Sequence, residues 1–103
     1  MAIVFDTQSV HFPALKGSDA NEVLEFTFPG TINKASAMLS GMLWGFRDGE
    51  HPVFRQGITA KILSAQGSNT AVVQVGLAIR DSSGFFDDAY DGDVSVTVIA
   101  DVT

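Results

Sequence analysis

The chain contains no cysteine. Disulfides, thiolate metal ligands and a cysteine nucleophile are therefore excluded, and the redox state of the compartment does not constrain the fold. No apolar run approaches the ~18 to 20 residues that a membrane-spanning helix requires, so we expect no membrane span. The stretch from Met1 to Asp6 lacks the basic and apolar regions of a secretory signal peptide. The sequence leaves the compartment open.

Charged residues are also scarce, at 17% against the roughly 25% of an average soluble domain. Apolar residues make up 46% of the chain, whose 103 residues suit one domain spanning 1–103. A domain this small has much surface, and a large exposed apolar patch usually marks a subunit or partner interface. We therefore expect a homo-oligomer. A well-filled β core rich in Val, Ala and Gly explains the same composition equally well.

Basic residues are missing altogether after Arg80. Residues 1–80 hold six acids and six bases, whereas the remaining residues add six acids and give the chain its net charge of −6. Phosphate binding needs clustered Lys and Arg, so nucleic acid is excluded as a partner. The six acids are Asp81, Asp87, Asp88, Asp91, Asp93 and Asp101.

Turn-forming residues divide the chain into pieces of strand length. Apolar and polar residues alternate within these pieces, most clearly over 23–28, 58–63, 71–80 and 94–102. Alternation with β-branched and aromatic residues is typical of half-buried antiparallel strands. Residues 2–6 and 9–15 are predicted as two further short strands. The sequence thus predicts an all-β chain, a single antiparallel β-sandwich of six to eight strands, jelly-roll-like in its connections.

Residues 34–46 fit either a helix or a strand. Ala and Met favour a helix, in which Met38 and Met42 would share one face. Gly41 and Gly45 interrupt that helix, so we favour a long strand with a glycine-marked bulge.

The acidic segment 87–93 is the first candidate site, because clustered carboxylates require a solvent, a cation or a basic partner. An EF-hand calcium loop with Gly92 at its sixth position would place Ala89 at position 3 and Val98 at position 12, where ligands are needed. No metal is therefore predicted, although an irregular calcium site at Asp87–Asp93 stays open. A solvated acidic hairpin loop, or contact with a basic protein surface, would equally account for the cluster.

Aromatic residues stand among these acids. Exposed rings beside carboxylates are typical of sugar binding, because a ring covers the apolar face of a pyranose and carboxylates accept from its hydroxyls. The same rings can instead anchor the loop onto the core. The candidate ligand-binding residues here are Asp87, Asp88, Tyr90, Asp91 and Asp93.

A second candidate cluster comprises Trp44, Arg47 and His51, around an Asp48-Gly49 turn that predicts a hairpin tip. An aromatic ring, a forked Arg donor and an imidazole together suit a polar ligand. Alternatively, Arg47 and Arg55 are the counter-charges of the acidic segment.

Enzyme signatures are missing. His11 and His51 are isolated in the sequence, and neither a Gly-x-Ser-x-Gly elbow nor a phosphate-binding loop occurs. No pair of carboxylates is singled out for glycosidase chemistry. We therefore expect no catalysis and no cofactor.

The stretches Val10-His-Phe-Pro13 and Val94-Ser-Val-Thr-Val-Ile-Ala100 resemble small H-type lectin-like domains. This resemblance covers most of the chain and implies an H-type lectin-like sandwich of six strands, as the alternative to the jelly-roll-like arrangement. It also implies a trimer or hexamer and sugar binding at subunit junctions. Ile99 stands where the family carries an aromatic residue, and a second proline after Pro13 is missing. No ligand residue is therefore transferred from the family.

The expected function is non-catalytic recognition, with glycan binding by an oligomeric lectin-like protein as the specific hypothesis. The alternative is a structural assembly subunit, such as a phage capsid decoration or tail protein, or an accessory component of a toxin or fibre. Few charges and high hydropathy suit that alternative.

Overall fold

A computed structural model of the chain describes residues 2–15, 20–46, 53–81 and 90–103. These residues form six β-strands and no helix. The strands are β1 (Ala2–Leu15), β2 (Ala20–Thr27), β3 (Ile32–Phe46), β4 (Val53–Ser64), β5 (Thr70–Asp81) and β6 (Tyr90–Val102).

The six strands form two antiparallel sheets of three. Sheet 1 has the order β1-β6-β3 and sheet 2 has the order β2-β5-β4. Only β4 and β5 are neighbours both along the chain and within a sheet. Gly67, in the turn between them, has a φ of 83°, a left-handed conformation that glycine adopts without steric cost.

Alternation along the strands predicts which side chains are buried. Ala71, Val73, Val75 and Leu77 of β5 are buried, and the same is true of every second residue of β6 from Tyr90 to Val102. Buried residues of both sheets form one hydrophobic core. The expectation of an all-β antiparallel chain is confirmed for the described residues.

The ambiguous segment 34–46 is a strand, because it pairs along its length with β6, and its register shifts between Leu39 and Gly41. The predicted glycine-marked bulge is therefore confirmed. By contrast, residues 2–15 form one continuous strand rather than two short ones. Its register with β6 runs unbroken from Ala2 to Phe12, through residues 7 and 8, where the two short strands were expected to be separate.

The hairpin predicted around Asp48-Gly49 is wrong. Its flanking strands β3 and β4 belong to different sheets and have no ladder in common. Residues 90–93 of the acidic segment belong to β6, and β5 and β6 lie in different sheets, so the predicted hairpin loop is wrong for these residues, while 87–89 lie outside the described residues. Asp48 and Gly49 themselves lie outside the described residues, and a turn signal does not tell which sheet the next strand joins.

No helix in the described ranges is long and apolar enough to cross a membrane. Side-chain hydrogen bonds from Gln8 and Tyr90 link the two sheets within the described residues. Nε2 of Gln8 donates to the carbonyl oxygen of Glu25 at 2.6 Å, and the hydroxyl of Tyr90 donates to the carbonyl oxygen of Leu77 at 3.2 Å.

Candidate binding face of sheet 1

The outer face of sheet 1 is the surface that its strands turn away from the core. Even-numbered residues of β6 are buried, so its odd-numbered residues and their register partners point outward. The outer face consists of Ile3, Phe5, Thr7, Ser9 and His11 of β1, Asp91, Asp93, Ser95, Thr97, Ile99 and Asp101 of β6, and Lys34, Ser36, Met38 and Leu43 of β3.

One half of the outer face is polar. Three successive rows each join β1 to β6 through a side-chain hydrogen bond. The hydroxyls of Thr7 and Thr97 lie 2.7 Å apart, and so do those of Ser9 and Ser95. Cross-strand pairs of this kind stabilise a sheet by a few tenths of a kcal/mol up to about 1 kcal/mol each. The polar half is therefore an ordered row of hydroxyls.

His11 and Asp93 end this row. Nδ1 of His11 lies 2.9 Å from Oδ1 of Asp93, and the two side chains are 61% and 55% exposed. An ion pair this open to water contributes only about 0 to 1 kcal/mol to stability. Leu43, which is exposed, lies opposite Asp93 on the other side. The row therefore presents an imidazole, a carboxylate and an apolar side chain side by side.

The other half of the outer face is apolar. Phe5 is 74% and Ile3 is 66% exposed, and Met38 is exposed as well. A shallow groove of about 250 Å³ follows this half and is lined by Ile3, Lys34, Ala35, Ser36, Ile99 and Asp101. The charged residues among these lining residues are one base, Lys34, and one acid, Asp101.

Pairing of β3 with β6 brings four of the predicted site residues together. Trp44 lies opposite Gly92, Asp91 lies opposite Gly45, and Asp93 lies opposite Leu43. Asp91 is half-buried, and Trp44 is half-buried against the core. The two clusters that the sequence separates by some forty residues thus share one end of sheet 1, but Trp44 lies on its core face and Asp91 and Asp93 lie on its outer face.

Tyr90 is brought to the same end, but it belongs to the core. Its side chain has no exposed surface, and its hydroxyl donates to the carbonyl oxygen of Leu77. The assignment of Tyr90 as a ligand-binding residue therefore has to be corrected, because a buried ring cannot cover a sugar. Its burial fits the alternative role of an aromatic residue that anchors this segment to the core.

Gly92 explains why the strands can approach each other beside Trp44. A Cβ atom at position 92 would lie 2.7 Å from both the carbonyl oxygen of Leu43 and Cβ of Trp44. Real Cβ atoms are not found at such distances, so this position of β6 requires glycine. The close approach fixes Trp44 against the core end of sheet 1.

Four predicted site residues, Arg47, His51, Asp87 and Asp88, lie outside the described residues. Only the place of Arg55 in β4, near the Val53 end of that strand, is described. Within the described part of the chain no three His, Asp or Glu side chains are grouped so that they could hold a metal ion. The calcium hypothesis for segment 87–93 stays a prediction, since residues 87–89 of that segment lie outside the described residues.

Sequence reasoning missed His11, Lys34 and Asp101. His11 looked isolated because its partner Asp93 is 82 residues away, and Lys34 is opposite Asp101 only through the pairing of β3 with β6. A signal did exist for Tyr90. It has the same parity as Val94 and Val96, which the alternation already assigned to the buried face of β6.

Comparison of the chain with protein-family models, with curated proteins and with solved structures finds no match. Any hypothesis about function therefore rests on the physical character of this face.

Proposed function

We propose that the chain is a single antiparallel β-sandwich that acts as a non-catalytic subunit and associates with copies of itself through the outer face of sheet 1. The observation that carries this proposal is the distribution of exposed apolar side chains. Of the eight large hydrophobic residues exposed in the described part of the chain, four lie on this outer face, namely Ile3, Phe5, Met38 and Leu43, whereas sheet 2 contributes only Val23 and Leu63.

The sandwich assignment draws support from the shared core and from the side-chain hydrogen bonds of Gln8 and Tyr90 that link the sheets. Six strands are also the number that the resemblance to H-type lectin-like domains implies. Two stacked sheets bury their inner faces together and leave each outer face to solvent or to a partner.

Association has a clear physical reason at the outer face. Removing a side chain such as Phe5 from water is worth about 1.5–3 kcal/mol, and Phe5, Ile3 and Met38 lie in adjacent rows. Monomeric proteins rarely leave such residues exposed side by side. The chain carries a net charge of −6, yet the groove in this face balances one acid against one base. Self-repulsion is therefore weak within the groove, and the further acids of this face, Asp91 and Asp93, lie at its other end.

The arrangement of His11 supports a non-catalytic role. A His-Asp pair is the orienting part of a hydrolytic triad, which also needs a nucleophile within hydrogen-bond reach. The nearest hydroxyls in the polar half, those of Ser9 and Ser95, are paired with each other. The His-Asp pair is more than half exposed, so it lacks the dry environment that strengthens catalytic electrostatics.

Sedimentation velocity on two matched variants tests the proposed association. Phe5→Asp places a charge in the apolar half and is expected to weaken association about tenfold or more, since tenfold corresponds to about 1.4 kcal/mol. Val23→Asp makes the same change of charge at an exposed residue on the outer face of sheet 2 and is expected to leave association unchanged. Equal effects of both variants would contradict the proposal.

Glycan recognition by the polar half is the second candidate function. The observation that favours it is the row His11, Asp93 and Leu43, in which donor, acceptor and apolar surface lie next to each other. Sugar sites combine these three properties, because a pyranose has hydroxyls at its edge and an apolar face. The hydroxyls of Ser9 and Ser95 extend the polar surface toward the apolar half.

A glycan array followed by calorimetry on any sugar that binds would test this second candidate. Asp93→Asn and His11→Ala are expected to abolish binding, whereas Glu25→Gln, in sheet 2, removes the same charge as Asp93→Asn and should have no effect. An array without signal from a chain that still self-associates would favour the structural assembly subunit instead.

A further inference from the structure

Lys34 and Asp101 carry opposite charges and are neighbours in the register at one end of the outer face. The register of sheet 1 places Lys34 of β3 directly opposite Asp101 of β6, and Ile3 of β1 lies opposite Asp101 on the other side. The Lys34 side chain is exposed, whereas Asp101 is half-buried. Base, acid and isoleucine line the same groove.

Neither charge finds a partner within the described part of its own chain. Lys34 makes no ion pair there, and Oδ1 of Asp101 is buried without any hydrogen bond. Buried carboxylate oxygens in native proteins are normally satisfied, and an unmet one has to be explained. A donor from a second molecule would supply what the chain itself does not.

A surface that carries one acid beside one base is complementary to itself. In a two-fold symmetric interface, the contact from residue i to residue j is matched by the contact from j to i. Lys34 of one copy can therefore face Asp101 of the other, and the reverse pair forms at the same time. A strongly basic or strongly acidic partner would satisfy only one of the two groups.

We propose that two copies of the chain pack outer face to outer face across a two-fold axis, with Lys34 of each copy paired to Asp101 of the other. The inference rests on the proposed self-association and specifies its geometry. The Asp101 carboxylate turns about its last torsion, which is soft, to present an oxygen to the incoming ammonium. Exposed Phe5 and Ile3 flank the charges and exclude water from them.

Reversing each charge singly, and then swapping the two charges, tests this geometry by sedimentation equilibrium. Lys34→Glu and Asp101→Lys each create two like-charge contacts in a symmetric dimer and are expected to raise the dissociation constant about tenfold or more. The double variant K34E/D101K restores the opposite pairs and is expected to recover most of the lost affinity. Lys61→Glu, which reverses a charge on the outer face of sheet 2, is the control and should have no effect.

The outcomes separate this inference from the proposed function. If the wild-type chain associates and Phe5→Asp disrupts it, but Lys34→Glu and Asp101→Lys do not, the ion pairing is wrong and the self-association stands. If the single variants weaken association and the double variant fails to recover it, the pairing is also wrong. If the wild-type chain is monomeric throughout, the proposed function and this inference fail together.

Thermal melts of every variant check that the fold is retained. Lys34→Gln, which removes the charge without reversing it, gives a milder second test at the exposed residue of the two.

Discussion

The hydroxyl of Tyr90, at the start of β6 in sheet 1, donates a hydrogen bond of 3.2 Å to the carbonyl oxygen of Leu77 in β5 of sheet 2. Tyr90 is the only tyrosine of the chain, and its ring is completely buried. The bond joins the two sheets at the end where the acidic segment enters β6. An aromatic residue that the sequence pattern assigned to a ligand site is thus a structural link.

Replacing Tyr90 by Phe is expected to lower the free energy of unfolding by about 0.5–1.5 kcal/mol, the usual net contribution of one hydrogen bond. The ring still fills its place in the core, so the fold should be kept. Urea denaturation followed by tryptophan fluorescence measures the difference. An unchanged unfolding midpoint would show that the bond to Leu77 does not hold the sheets together.

Gly92→Ala is expected to destabilise the fold by about 1–3 kcal/mol, the cost of forcing an added methyl into a closely packed site. The new Cβ atom would meet the backbone of Leu43 and the base of the Trp44 side chain. Gly45→Ala, in the strand that faces Gly92, is the matched control, because nothing lies within 4 Å of its added Cβ. Chemical denaturation of both variants should show a loss for Gly92→Ala alone.

Asp93→Asn is expected to change the free energy of unfolding by about 1 kcal/mol at most, because its ion pair with His11 is exposed to water. This makes the substitution a clean probe of ligand binding. Thermal and urea unfolding measure the effect. A loss well above that value would mean that Asp93 has a structural role that its exposure does not suggest.

Calcium is expected to leave the melting temperature unchanged at millimolar concentration. Ala89 and Val98 occupy positions where a calcium loop needs ligands, and Asp93 already pairs with His11. Differential scanning calorimetry with calcium and with a chelator makes the comparison. A specific site would raise the melting temperature as the calcium concentration rises. That result would support the hypothesis of an irregular calcium site at Asp87–Asp93.

Local alternation was enough to predict the buried faces of β2, β4, β5 and β6, but not that of β3, where Leu43 lies on the outer face beyond the bulge. The series from Val94 to Val102 faces the core as expected, because a pleated strand sends successive side chains to opposite sides. The bulge in β3 was also predictable, since Gly41 disfavours a helix and marks an irregular strand.

Strand pairing was not predictable in the same way. Alternation says that a strand is half-buried, but not which other strand lies beside it. His11 and Asp93 meet only because the first and last strands pair, and Lys34 meets Asp101 for a similar reason. The hairpin expected at Asp48-Gly49 was wrong because a turn signal does not tell whether the chain returns to the same sheet.

Self-association through the outer face of sheet 1 is the central claim, and sedimentation equilibrium of the wild-type chain tests it most directly. The chain has a mass of 10.9 kDa. We predict that the weight-average mass rises toward that of a dimer or a larger multiple as the protein concentration is increased from about 1 μM to about 100 μM. Dissociation constants of specific interfaces of modest size fall in this range. A constant mass of 10.9 kDa at every concentration would contradict the account.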